Sequence, residues 1–240
     1  MPRKQPGTGK PKAIGEKANG MALNIEQARF NMIEQQIRTW DVLDQRVLET
    51  LKTVPREEFV PSTHRRMAFM DVRIPLGHDQ VMMKPVEEGR LLQALQLEPG
   101  QTVLEIGTGS GFLAACLSDL GGLVTSLEIF DDLAESASRR LERAGVANVS
   151  VMQADAFDPT ALPAGEFDCV VVTGSSAMVP ALLKDKVALG GRLFAIQGAP
   201  PAMEAVCLHR EKTDQWHTDS LFETDLPRLV GAEDVPHFEF

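Results

Sequence analysis

The middle of this chain alternates short apolar runs with helical stretches, and this alternation constrains the fold more than any other feature. Strand-like runs occupy residues 102–106, 123–127, 149–152, 169–172 and 192–196. Helical stretches lie between them at residues 112–120, 131–144 and 178–186. Because parallel strands need long crossover connections, which are usually helices, this order predicts an α/β domain with a doubly wound, mostly parallel, Rossmann-like sheet.

The segments on either side of this alternation predict additional elements. From Asn24 onward, apolar residues recur at helical spacing and predict an N-terminal element of two helices, and Pro85 is expected at the first position of a helix that ends near Leu97. Two further strands are expected within residues 206–211 and 219–226, pairing at an edge of the sheet. We therefore predict a tail at residues 1–22 and one domain at 23–240, made of N-terminal helices and a loop (23–84), a cofactor-binding core (85–200) and C-terminal strands and loops (201–240).

The charge and cysteine content exclude several classes of protein. Residues 1–20 contain five basic residues and one glutamate among many glycines and prolines, which predicts a disordered tail. The whole chain carries a net charge of -10, which disfavours binding to nucleic acid or to an anionic membrane. Its three cysteines are widely spaced, so neither a disulfide framework nor a zinc site is indicated, and we expect no metal and a cytoplasmic location.

A glycine-rich turn follows the first predicted strand. Residues 103–112 read VLEIGTGSGF, with Glu105 near the strand end and Gly107, Gly109 and Gly111 leading into a helix. Such a turn lets the backbone approach a ligand closely at the carboxyl end of a strand, where α/β sheets bind their ligands. Phe112 stands where the dinucleotide pattern has its last glycine, which disfavours NAD and FAD.

Acidic residues recur at the ends of the following strands. Glu128 ends the second strand, where a carboxylate can accept hydrogen bonds from both hydroxyls of a ribose, and Asp155 follows the third strand, where it could accept from an adenine amino group. Asp168 begins the fourth strand, and Gly190-Gly191 predicts a tight turn into the fifth. Taken singly, each acid could be a capping or surface residue. Their joint order is typical of class I methyltransferases that use S-adenosyl-L-methionine.

Blocks outside the cofactor pattern narrow the resemblance to one family. These blocks are VPREEFVP (54–61), AFMD (68–71), IPLGHDQ (74–80), VLEIGTGSGF (103–112), NVSV (148–151) and DCVVVTG (168–174). In order and spacing they resemble the protein-L-isoaspartate O-methyltransferase family over about residues 24–200, and more loosely to 231. The resemblance implies methyl transfer from S-adenosyl-L-methionine to the free carboxylate of isoaspartyl residues in damaged proteins, after which the ester closes to a succinimide without help from the enzyme.

The resemblance also implies roles for individual positions. Glu105, Gly107, Thr108, Gly109 and Gly111 would surround the methionine and ribose portions of the cofactor. Glu128 would bind the ribose, and Asp155 with Ala156 would lie near the adenine. The predicted substrate loop consists of Gly77, His78, Asp79, Gln80, Val81 and Met82, although His78 could equally be a solvated loop residue.

This loop departs from the family pattern GxGQTIS at three positions. Asp79 replaces a glycine, Val81 a threonine, and Met83 stands at the position of the active-site serine. Residues 154–156 read ADA where the family has GDG, and ETDLPRLVG at residues 223–231 lacks the arginine that is usual in the family's VRFVPL segment. A serine hydroxyl that hydrogen-bonds a carboxylate contributes about 1.5 to 3 kcal/mol, so its loss alone need not abolish activity.

Three functions therefore remain open from the sequence. The first is the isoaspartyl carboxyl methyltransferase, whose partner is a protein or peptide carrying isoaspartate. The second is a methyltransferase of the same fold with another acceptor, such as a small molecule, because Val81, Met82 and Met83 would form an apolar, adaptable wall. The third is a non-catalytic protein that binds S-adenosyl-L-methionine.

Overall fold

The structure is a computed structural model that describes residues 15–232, with side chains described from residue 24 onward. The helices are α1 (Gly15–Met32), α2 (Gln45–Thr53), α3 (Arg56–Phe59), α4 (Pro85–Leu95), α5 (Phe112–Asp119), α6 (Asp131–Arg143) and α7 (Ala181–Lys184). The strands are β1 (Ile74–Gly77), β2 (Gln80–Met82), β3 (Thr102–Ile106), β4 (Leu123–Glu128), β5 (Val149–Gln153), β6 (Phe167–Ser176), β7 (Val187–Ala199), β8 (Ala202–Lys212) and β9 (Gln215–Thr224). A π-helical turn (Ile33–Ile37) and 3-10 turns (Arg38–Trp40, Ser62–Met67) complete the N-terminal part.

Seven strands form the central sheet in the order β5-β4-β3-β6-β7-β8-β9. The pairs among β3 to β7 are parallel, and β8 and β9 add to one edge as antiparallel strands. The predicted doubly wound, mostly parallel sheet is thus confirmed, and the two strands predicted to pair at its edge correspond to β8 and β9, which are antiparallel. The strand order reverses between β3 and β6, and such switch points open a crevice at the carboxyl ends of the strands.

Both faces of the sheet are covered by apolar packing. Alternate residues of a strand point to opposite faces, and the two hydrophobic clusters follow this rule. Val103 and Val171 belong to a cluster shared with the N-terminal helices, α4 and α5, whereas Leu104 and Val170 belong to a cluster on the other face. Buried Phe59 and Ile37 join the first cluster, so the N-terminal element packs into the same core as the sheet.

The N-terminal prediction needs a correction. Helix α1 begins at Gly15, whereas we predicted a disordered tail through residue 22. The prediction gave most weight to the glycines and prolines of residues 1–20. Residues 15–22 consist mainly of glutamate, lysine, alanine and methionine, all of which have high helix propensity. Residues 1–14 lie outside the described residues, as do residues 233–240. None of the helices within residues 15–232 combines the length and the apolar character needed to cross a membrane.

The predicted substrate loop is a β-hairpin. Strands β1 and β2 pair antiparallel, and His78 and Asp79 form a two-residue turn with positive φ angles of 52° and 55°. Turns with two positive φ angles match the twist of a hairpin and accept Asn, Asp or Gly. Aspartate can therefore occupy the position of the family's glycine, and the hairpin presents it at an exposed tip.

Two further predictions differ from the structure between β6 and β7. The predicted helix at 178–186 is reduced to the single turn α7, because the residue before Pro180 is driven towards extended backbone and β6 continues to Ser176. Gly190-Gly191 lies within β7 as part of an irregularity in its pairing with β6, not in a turn before the strand.

Candidate functional site

An open cleft lies at the carboxyl ends of β3, β4 and β6, where the strand order reverses. The space between its walls, including the open solvent at its mouth, amounts to about 860 Å³. The glycine-rich turn forms its floor, the β1-β2 hairpin forms one wall, and Leu229 and Val230 of the C-terminal segment contribute a second wall. The cleft therefore combines residues from the whole length of the domain.

The glycine-rich turn is shaped by close backbone contacts. Gly107 has a φ of 91°, and a side chain there would place its Cβ 2.3 Å from the hydroxyl of Thr173. That hydroxyl donates towards the carbonyls of Ile106 and Gly107, at 2.9 and 2.8 Å, and so joins the end of β6 to the turn. Gly109 also has a positive φ, and a Cβ there would meet Leu76 of the hairpin at 3.0 Å. Only glycine keeps this floor open.

Glu128 is buried at the end of β4 and its carboxylate faces the cleft. One oxygen accepts a hydrogen bond from the amide of Gly109 at 2.8 Å, and the other accepts from the amide of Phe130 at 3.2 Å. A carboxylate has about four acceptor positions, so capacity for two further donors remains. This arrangement suits a pair of vicinal hydroxyls.

Glu105 lies beneath the cleft and does not line it. Its carboxyl accepts a short hydrogen bond from Ser126, whose hydroxyl is 2.6 Å from that of Thr108, a residue that does line the cleft. Burial raises the pKa of Glu105 to about 8, with the Ser126 hydrogen bond opposing and the Glu128 charge adding to the shift. Its other oxygen is buried with no hydrogen-bond partner among the described residues. Glu105 therefore acts on the site through Ser126 and Thr108.

Asp155 and Ala156, which we predicted to lie near the adenine, also line the cleft. One oxygen of Asp155 accepts from the amide of Phe157 at 2.8 Å, which leaves the exposed carboxylate further acceptor capacity. Ile129 and Phe157 line the same cleft and provide apolar surface near this acid. An acceptor beside apolar surface suits a flat heteroaromatic ring that carries an amino group.

The hairpin contributes a mostly apolar wall. Leu76, Gln80, Val81, Met82 and Met83 line the cleft, and both methionines are buried. Gly77, His78 and Asp79 do not line it, because they form the exposed turn.

His78 instead ties the hairpin tip to the rim of the cleft. Its imidazole stacks on Phe130 with ring centroids 4.0 Å apart, and its Nε2 lies 2.9 Å from the carboxylate of Asp132. Since Phe130 lines the cleft and hydrogen-bonds Glu128 through its amide, His78 connects the hairpin to the cofactor side of the site.

The cleft also contains residues that our sequence predictions missed. Glu88 of α4 lines it beside Met83, with its carboxylate paired to buried Arg56. Burial raises the pKa of Glu88, and the Arg56 charge opposes that shift. Thr173 and Gly174 belong to the block at 168–174, but that block supported the family resemblance and no site role was assigned to it.

The C-terminal wall was missed because its placement depends on a long-range contact. The amide of Ser175 donates to the carbonyl of Pro227, and the amide of Leu229 donates to the carbonyl of Ser175, both at 2.9 Å. These bonds place Leu229 and Val230 at the cleft.

Asp168 lies at the amino end of the central strand β6, away from the cleft. It accepts from the amide and the hydroxyl of Thr102 at 2.8 and 2.9 Å, and so joins β6 to β3 at their amino ends. Its role is structural. Gly111 likewise does not line the cleft; it is the N-cap residue of α5.

The charges at the cleft are of one sign. Among the described residues that line it, the acidic side chains are Glu88, Glu128 and Asp155, and none is a lysine, arginine or histidine. Glu88 is paired with Arg56 behind the cleft, so Glu128 and Asp155 carry the negative charge that a ligand meets. The site therefore favours a cationic or neutral ligand, and any anionic group must be held by amides, hydroxyls or Gln80.

Comparisons with known proteins agree with this geometry. The family model described as Protein-L-isoaspartate(D-aspartate) O-methyltransferase matches residues 27–220. Protein-L-isoaspartate O-methyltransferase 1 of Rhodopseudomonas palustris (strain HaA2) is 36% identical over 213 residues, which cover 88% of this chain and 86% of that protein. The enzyme of the same family name from Gloeobacter violaceus is 38% identical over 169 residues, covering 70% of this chain and 81% of its own.

Two solved structures share the fold at lower identity. One is a Plasmodium falciparum protein described as a beta-aspartate methyltransferase (PCMT), in complex with S-adenosyl-L-homocysteine. It has a TM-score of 0.69 and 19% identity, with coverage of 83% of this chain and 96% of that one. The other, a protein-L-isoaspartate O-methyltransferase, has a TM-score of 0.71 and 22% identity, and the match covers 85% of this chain and 65% of that one. By the family model and by these relatives, the chain belongs to the protein-L-isoaspartate(D-aspartate) O-methyltransferase family.

Proposed function

We propose that this protein transfers a methyl group from S-adenosyl-L-methionine to the free carboxylate of isoaspartyl residues in damaged proteins or peptides. The observation that carries the cofactor half of this proposal is the Glu128 carboxylate, which is held by two backbone amides and faces the cleft beside the glycine-rich turn. The acceptor half rests on membership of the family and on the names of its curated relatives.

The residues present fit the cofactor. Glu128 would bind the ribose hydroxyls, Asp155 the adenine amino group, and the turn from Gly107 to Gly109 would lie against the methionine portion. The acidic lining of the cleft favours a ligand that carries an ammonium and a sulfonium. When bound, the cofactor supplies an activated methyl group on a positively charged sulfur.

The protein's own contribution is to position the acceptor and to exclude water. A carboxylate is ionised at neutral pH and needs no base to become a nucleophile. Catalysis then depends on holding the acceptor oxygen in line with the methyl group, which can lower the barrier by several kcal/mol. Met82 and Met83 are both buried and line the cleft, so the hairpin wall presents apolar surface that disfavours water beside the acceptor. Gln80, whose amide can donate to a carboxylate, lies in the same wall.

A direct assay tests the proposal. The protein is incubated with methyl-labelled S-adenosyl-L-methionine and a peptide containing one isoaspartyl residue, beside the same peptide with normal aspartate. We expect the isoaspartyl peptide to become labelled and to release the label as methanol in mild base. The peptide with normal aspartate should not become labelled. If the protein binds S-adenosyl-L-homocysteine but gives no base-labile label at high enzyme concentration, isoaspartate is not its acceptor. The assignment of the cofactor would then still stand.

One observation favours a second candidate, which is methyl transfer to a different acceptor. Met83 is 5% exposed and lines the cleft at the family's serine position, and the described lining offers no cation to a carboxylate. A neutral, partly apolar acceptor would fit this wall better. This alternative predicts that a metabolite extract supports formation of S-adenosyl-L-homocysteine when the isoaspartyl peptide does not.

A further inference from the structure

Arg56 occupies a central position behind the cleft. Arg56 is the first residue of the short helix α3, and its side chain is fully buried. All of its guanidinium nitrogens have partners: Nε donates to the carbonyl of Ala68 at 2.9 Å, one terminal nitrogen donates to the carbonyl of Met83 at 2.8 Å, and the other is paired with Glu88. A buried arginine with so many fixed partners holds those partners in one arrangement.

The same guanidinium also contacts the opposite side of the site. Its Cζ lies 4.7 Å from the ring centroid of Phe112, the first residue of α5. Because α5 begins directly after Gly111, Phe112 moves with the glycine-rich turn that forms the floor of the cleft. Arg56 therefore touches both the hairpin end at Met83 and the helix that carries the floor.

We propose that Arg56 is a positioning residue that sets the separation between the acceptor wall at Met83 and the cofactor-binding floor. This inference rests on the proposed function, since it concerns the alignment of acceptor and methyl donor in that reaction. Arg56 does not line the cleft, so it acts through the Met83 carbonyl, through Glu88 and through Phe112.

The physical reason is the sensitivity of methyl transfer to geometry. A displacement of about 1 Å at a reacting group can lower the rate by about a hundredfold, even when its cause lies away from the chemistry. The Met83 carbonyl is fixed directly by Arg56, and Met83 immediately follows β2 and precedes the N-cap residue of α4. A lysine at position 56 would keep the charge opposite Glu88, but its single ammonium could not hold the Ala68 and Met83 carbonyls in the same fork.

Arg56→Lys is the first test variant. We expect kcat with the isoaspartyl peptide to fall about ten- to hundredfold, with the affinity for S-adenosyl-L-homocysteine changed less than about twofold. Hydrogen exchange should increase at the amides of residues 80–84 and stay unchanged in the glycine-rich turn. The double variant Arg56→Met with Glu88→Leu separates positioning from stability, because apolar replacement of a buried ion pair is often neutral or stabilising. Because the Ala68 and Met83 carbonyls lose their donor, we expect this double variant to be less stable than the wild type but more stable than Arg56→Met alone, and still to lose kcat.

A matched control is the pair formed by Arg29 and Glu57, which joins α1 to the same helix α3 at 2.6 Å without contacting the hairpin. Arg29→Met with Glu57→Leu should leave kcat and the exchange of residues 80–84 unchanged. The inference is overturned if Arg56→Lys is folded and has the wild-type kcat and the wild-type hydrogen exchange at residues 80–84. It is also overturned if the Arg56→Met, Glu88→Leu double variant has the wild-type kcat. If the wild-type protein does not methylate the peptide, the proposed acceptor fails, and the exchange at residues 80–84 still decides whether Arg56 fixes the wall.

Discussion

Met83→Ser is the substitution that examines the acceptor site most directly. Met83 is 5% exposed, lines the cleft, and stands at the position of the family's serine. A new hydroxyl that reaches the acceptor carboxylate would contribute about 1.5 to 3 kcal/mol, so we expect kcat/KM for the isoaspartyl peptide to rise about ten- to hundredfold. The backbone carbonyl that accepts from Arg56 is unaffected by the change.

The substitution also has a cost in stability. Truncating a buried methionine typically lowers the free energy of unfolding by about 2 to 5 kcal/mol, and a residue beside an open cleft is expected near the lower end. Urea denaturation measures this loss, and the kinetic assays are run where both proteins are folded.

Met82→Ser provides a matched control. Met82 is 4% exposed, lines the same cleft, and occupies a position where the family has an apolar residue. It should lose similar stability without any gain in kcat/KM. If Met83→Ser behaves like Met82→Ser while both are folded, the missing hydroxyl does not limit the reaction, and the wall is built for another acceptor.

Three further predictions concern the cofactor side of the site. Glu128→Ala should weaken the binding of S-adenosyl-L-homocysteine, measured by calorimetry, by about a hundredfold, because two hydrogen bonds from the ribose to a charged acceptor are lost. His78→Ala removes the stacking on Phe130 and should raise the dissociation rate of S-adenosyl-L-homocysteine by about two- to tenfold in stopped-flow experiments, whereas His209→Ala, which removes an imidazole paired with Asp219 at the sheet edge, should not. Burial raises the pKa of Glu105 from 4.5 to about 8, so the folded state keeps a proton that the unfolded state loses, and stability should fall as pH rises between these values. Glu105→Gln should reduce that slope, measured by urea denaturation at pH 5.5, 6.5 and 7.5, by up to about 1.4 kcal/mol per pH unit; an unchanged slope would show that another group is responsible.

The cofactor side could be predicted from the sequence because its geometry is local. The turn from Gly107 to Gly111 follows one strand and opens one helix, and Glu128 ends the next strand, so parallel pairing brings them together. Glu105 shows the limit of this reasoning. Its position in the motif suggested contact with the cofactor, but its place within β3 directs it beneath the cleft, where Ser126 of the neighbouring strand is its hydrogen-bond partner.

The hairpin was harder to recognise in the sequence because its two turn residues are not the ones that usually mark a hairpin turn. Asn-Gly and Asp-Gly mark two-residue hairpin turns in sequence, whereas His78-Asp79 contains no glycine at either central position. The flanking strands are only four and three residues long, so alternation is weak evidence for them. Their pairing is stabilised instead by packing, since Ile74 and Met82 face each other and are both buried in the core.

The two sides of the cleft therefore differ in how they are built, and this difference bears on acceptor choice. The cofactor side depends on backbone conformation and on one carboxylate held by amides, which few substitutions can change without losing the fold. The acceptor side is assembled from α4, the hairpin and residues 229–230, which meet through long-range contacts. Side chains such as Met83 and Val230 can change there while Arg56 keeps the backbone of the wall in place. A protein of this fold can thus alter its acceptor and keep its cofactor, and for this reason Met83→Ser tests the acceptor without disturbing the floor of the site.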